Sequence, residues 1–178
     1  MADPVDMTPT LTATRFAQLQ PGELFLCRHG AGATVALVAC DPTDENRKLI
    51  LPLGPRLPAG MASPTLVDDP GTTVVSFGRA FTVRLPTDPE AWQDQEPDAA
   101  VTPMVLTGNS LFLRCNCDTR VGVFRPCFVD LGDGRIVVQG VGRPGQFSAP
   151  PGIRAYALRW ELVTTEPKPR MILAYPVA

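Results

Sequence analysis

Twenty prolines are scattered along the 178 residues rather than gathered at one end. Each ring removes an amide donor and clashes with the preceding helical turn, so a chain punctuated in this way is not built from long helices. Short strands and many turns remain. Glu23 to His29 and Ala33 to Cys40 are apolar runs flanking Gly30-Ala31-Gly32, which reads as a hairpin. Lys48 to Leu53 follows as a strand, and residues 54 to 71, with Pro55, Pro58, Pro64 and Pro70, read as a surface loop. Thr72 to Arg84 alternates with Val75, Phe77, Phe81 and Val83 on one side, and Gly78-Arg79 marks a bulge or break.

Later in the chain, Phe128 to Leu131 and Arg135 to Gln139 flank Gly132-Asp133-Gly134, whose Asp-Gly pair supplies the positive φ that tight hairpin turns need. Tyr156, Leu158, Trp160 and Leu162 alternate with Ala157, Arg159 and Glu161, and Met171 to Val177 returns beside them after a turn. Only Thr12 to Leu19 reads as helical, one or two turns with Phe16 and Leu19 on one side, stopped by Pro21-Gly22. Short strands without intervening helices predict an all-β fold, an antiparallel sandwich or barrel with very little helix.

The chain also echoes itself. Leu24-Phe25-Leu26 returns as Leu111-Phe112-Leu113, and the same offset of 87 carries Cys40 onto Cys127 and Arg56 onto Arg143. Identities are few, yet an offset near half the length suggests pseudo-repeated halves, 11–85 and 104–178, inside one β-rich domain spanning 11–178. Residues 1–10 read as a loose arm. The acidic, proline-rich segment 86–103 reads as the join between the halves, since no basic residue lies between Arg84 and Arg114.

Charge excludes one class of partner. The net charge is −2 and the basic residues form no run, so the electrostatic footprint of a nucleic-acid binder is missing. No apolar run approaches the roughly 20 residues of a membrane-spanning helix, and the first residues lack the basic and apolar regions of a secretory signal; a cytoplasmic protein is expected. Fourteen of the sixteen basic residues are Arg, a usage that goes with GC-rich bacterial or phage genomes. Five cysteines is an odd number, and in a reducing compartment they are expected as thiols.

Catalytic motifs fail on context. Gly140 to Gly145 spells GxGxxG, but Pro144 and Pro150-Pro151-Gly152 deny the helix whose N-terminus would meet a pyrophosphate, so no cofactor is expected there. His29 is the one histidine. Cys27 shares its strand face at i and i+2, yet no second motif supplies an acid, a base or an oxyanion hole, and a solvated imidazole at a strand end is the plainer reading. At the echo's offset, Cys27-Arg28-His29 falls beside Cys115-Asn116-Cys117. Cys27, His29, Cys115 and Cys117 would make a Cys3His zinc set if they converged, although C-x-C on an extended strand is poor knuckle spacing. A reactive thiol ranks below that, with Arg114 and Arg120 near Cys115 and Cys117 to favour the thiolate. Small buried cysteines explain Cys40 and Cys127.

Surfaces are left. Seven arginines lie between 114 and 159, among them Arg114, Arg120, Arg125 and Arg135, and alternation can put them on one face; the commoner arrangement is the solvated side of a half-buried sheet. Trp92 sits in the acidic segment, either as a partner-binding anchor or folded back to pin its own loop. The sequence thus points to a binding or assembly module for a protein partner or a second copy, acting through surfaces without a cofactor, with zinc or thiol chemistry as the alternative.

Overall fold

The computed structural model describes residues 11–29, 32–41, 44–54, 64–66, 69–95, 103–107, 110–119, 123–138 and 153–175. Within them the fold is all-β, with antiparallel pairing throughout. The first sheet runs β1 (Thr12–Arg15), β6 (Thr73–Gly78), β2 (Leu24–His29), β3 (Gly32–Asp41), β4 (Asp44–Gly54) and β5 (Thr65–Leu66). The second runs β12 (Ile136–Val138), β11 (Val123–Asp130), β10 (Ser110–Thr119), β9 (Met104–Thr107), β13 (Ile153–Ala157) and β8 (Trp92–Gln93). A third, smaller sheet orders β15 (Met171–Tyr175), β14 (Trp160–Thr164) and β7 (Phe81–Arg84).

One cluster of buried side chains draws on all three sheets: Leu24, Leu37 and Leu51 from the first, Met104, Leu113 and Val129 from the second, Trp160, Leu162 and Leu173 from the third. β3 shows why its sequence is apolar without a break. Val35, Leu37 and Ala39 face this shared core, while Ala36 and Val38 face a separate cluster of Phe16, Leu19, Phe25 and Val74. A strand buried on both sides keeps no polar alternation. Segment 16–19 covers that outer face, with Phe16 edge-on to Phe25 at 5.5 Å between ring centroids. Lys48 Nζ fixes it there, donating to the carbonyls of Ala17 (2.7 Å) and Leu19 (2.5 Å).

Several expected boundaries move. Thr12 to Leu19 is a strand followed by a single 3-10 turn, Phe16–Gln18, because β-branched Thr12 and Thr14 find partners in Ser76 and Val74 of β6. Thr72 to Arg84 breaks at Gly78, whose φ is 66°, and its two parts join different sheets. The run from Tyr156 to Leu162 also divides, at Leu158-Arg159, so that Tyr156 packs with Val105, Phe112 and Phe128 while Trp160 enters the shared core and stacks on Tyr175 at 5.1 Å. The loop 54–71 contains β5, paired with Leu49 and Ile50. Within the acidic segment, β8 pairs Trp92 with Ala157 and Gln93 with Tyr156. The arm 1–10, residues 96–102 and Gly140 to Gly145 lie outside the described residues.

At the echo's offset the two halves share a local strand pattern but not a register. Both β2-β3-β4 and β10-β11-β12 are antiparallel meanders. Their registers differ, however: Leu26 pairs with Val35, whereas Leu113 pairs with Val129. Cys127 points into the shared core beside Cys115, while Cys40 follows core-facing Ala39 and so lies on the opposite face. The two cysteines are not equivalent.

Two turns lock the sheets together at one corner. Gly22 N–H donates to Val38 O and Cys40 N–H to Gly134 O, both at 2.8 Å, and Gly134 N–H returns to Asp130 O at 2.8 Å. Gly22 and Gly134 hold φ of 84° and 72°, and no side chain fits between them. A Cβ on Gly134 would lie 2.4 Å from Val38 O.

Candidate functional site

The expected metal set does not assemble as far as it is described. Leu24 and Leu26 pack with the shared core, and alternation sends Phe25 and Cys27 to the other face, where Cys27 lies against the Phe16 cluster. Cys115 is fully buried in the shared core, directly opposite Cys127, and its thiol donates to Leu113 O at 3.6 Å. Cys27 and Cys115 are therefore separated by the body of the first sheet. The side chains of His29 and Cys117 lie outside the described residues. Among the described residues no group of three His, Cys, Asp or Glu side chains could hold a metal. Cys27, Cys40, Cys115 and Cys127 form no disulfide. Burial pushes the Cys27 thiol above its ordinary range, offset in part by a backbone hydrogen bond.

The arginines divide as well. Arg114 is only 4% exposed, on the face of β10 that also carries Phe112, opposite Phe128 of β11. It is no part of a solvated stripe. Arg135 is exposed at the β11–β12 turn, with its N–H on Asp133 Oδ1 at 2.9 Å and its guanidinium 4.0 Å from the same carboxylate. Arg125 belongs to β11, opposite Cys117, but its side chain, like all of Arg120, lies outside the described residues. Trp92 is half-buried against the shared core, and its indole N–H donates to Pro86 O at 2.9 Å. It pins its own loop. That loop is further set by Asp88, whose carboxylate accepts the Glu90 N–H at 3.0 Å.

What the sequence did not single out is a cleft beside the locked corner. About 480 Å³ in volume, it is lined by Gly22, Arg79, Phe81, Val83, Ser110, Leu111, Asp130, Leu131 and Gly132. Its base is apolar: Phe81, Val83 and Leu111 pack against the shared core and Leu131 belongs to it. Its polar groups are held in place. Arg79 Nη2 donates to the Pro21 carbonyl, and Asp130 Oδ1 accepts the Gly132 N–H at 2.8 Å. Among the described residues β7, which contributes Phe81 and Val83, ends the third sheet, with β14 as its partner. The cleft is open and about equally polar and apolar, setting a few fixed polar groups beside packed apolar side chains. The only local signals were Pro21-Gly22, Gly78-Arg79 and the Gly132 turn, each legible as a turn but not as one wall of a shared cavity. No protein-family model, no curated protein and no solved structure matches the chain, and the reading of this cleft rests on its own geometry.

Proposed function

We propose that this chain is a binding module that takes up an extended segment of a protein partner along β7, in the cleft beside the Gly22 and Gly132 turns. The observation that carries the reading is that β7, among the described residues, is a sheet-ending strand paired with β14 without any register shift and lining a cleft. Extended peptides add to such edges through main-chain hydrogen bonds, and side-chain pockets then supply selectivity. The other sheet ends among the described residues suit it less. β5 and β8 are two residues each and β12 three. β1 is largely solvated, and β15 skips Ile172 in its pairing, a bulge that turns an edge away from further pairing.

The test is a display selection with random heptapeptides on the whole chain and on Ser110→Trp, which fills the cleft from an exposed rim position. Enriched peptides should slow amide exchange in residues 82–84, and Ser110→Trp should abolish both binding and protection. Absence of enrichment, or binding that leaves these amides unchanged, would refute the proposal.

A further inference from the structure

We infer that the segment taken up along β7 runs antiparallel to it and carries a carboxylate near its C-terminal end. This rests on the binding reading above and adds direction and charge to it. Every strand pair described is antiparallel, β7 with β14 included, so continuation of that sheet sets the added strand antiparallel as well. An antiparallel neighbour has its C-terminal end beside the N-terminal end of β7. That is where Arg79 stands, two residues before Phe81, in the cleft lining.

The Arg79 guanidinium is exposed and is held by the neutral Pro21 carbonyl, which leaves its charge available to a ligand carboxylate. Asp130 lies in the same lining and is bound to a neutral backbone N–H. Its charge disfavours an acid placed beside it. The cleft therefore carries one cation, just before the N-terminal end of β7, and one anion, at the end of β11. Phe81, Val83 and Leu111 ask for alternate apolar side chains between.

The experiment uses three synthetic heptapeptides with blocked termini, read by fluorescence anisotropy on the whole chain. One is Lys-Thr-Val-Thr-Val-Thr-Asp, one its reverse, and one neutral with Gln and Asn at the ends. At low salt the first should bind about three- to tenfold tighter than its reverse, the range expected of exposed charge contacts and relief of a like-charge approach. The preference should shrink in 0.5 M salt and fall in Arg79→Gln, which keeps a donor for the Pro21 carbonyl. If the reverse peptide binds as tightly, or the preference is undiminished in Arg79→Gln, the assignment of direction and charge is wrong while the binding reading stands. If none of the three binds at millimolar concentration to the native chain, the binding reading itself fails.

Discussion

Replacing Gly134 by Ala should separate two contributions that usually arrive together. The residue sits at φ 72°, where an L side chain costs about 1–2 kcal/mol through the contact of Cβ with the backbone. The added methyl would also stand 2.4 Å from Val38 O and 2.7 Å from Gly22 N. Those two atoms are partners in a 2.8 Å hydrogen bond, so the methyl lands on the bond that fixes the Gly22 turn against β3, beside the Cys40–Gly134 bond that joins the two sheets. Neither atom is a side-chain end that can swing aside. Overpacking of this kind adds about 1–3 kcal/mol, for a total of about 2–5 kcal/mol. With ~2–4 °C per kcal/mol in a chain of this size, the midpoint should fall by about 4–20 °C. Gly78 provides the control, because it shares the conformation, φ 66°, with nothing within 4 Å of the added methyl. Gly78→Ala should lose only the backbone contribution of about 1–2 kcal/mol. Urea unfolding followed by tryptophan fluorescence measures both, read at unchanged m. If the two variants lose the same stability within about 0.5 kcal/mol, the close approach between the Gly22 and Gly134 turns is not what holds the sheets at that corner.

Three further outcomes are expected. Trp92→Phe, which keeps the ring packing but drops the N–H to Pro86 O, should cost about 0.5–1.5 kcal/mol in the same unfolding assay. Trp92→Ala should cost more, because apolar contact with the shared core goes as well. Under native conditions a thiol reagent should leave fully buried Cys115 and Cys127 unmodified, as peptide mass mapping would show, while all five cysteines react in denaturant. The raised Cys27 pKa stabilises the neutral thiol in the folded chain. Stability should therefore be level below the ordinary range of an unfolded thiol and decline as pH rises from there through the folded value; Cys27→Ala should remove that share of the alkaline decline.

Strand class and the tight turns were legible because they are local. Gly132-Asp133-Gly134 forms its hairpin, and Leu24 to His29 pairs with Gly32 to Asp41 nearly as the apolar runs suggest. What failed was allegiance to a sheet. Phe77 and Phe81 share one alternating run, yet the chain turns at Gly78 and hands the second part to strands from far along the sequence. Alternation reports which residues point together, not which strand they lie beside. Arg114 misled for the converse reason: charge implies solvent, but its place between Phe112 and the facing Phe128 takes it inside. The cleft was invisible because its lining comes from four separated segments, each an ordinary turn or strand end by itself.

The pairing of β7 with β14 sets an order on how this chain matures. Residues 81–84 leave the ribosome long before residues 161–164, which form the strand they pair with. Until then the first sheet has all its described strands, since each of these lies between residues 12 and 78. Loop closure on this scale is slow relative to local hairpins. A nascent chain can thus carry the described strands of the first sheet while its β7 edge stays unbuilt, and by this reading it gains the ability to engage a partner only once residues 161–164 have emerged.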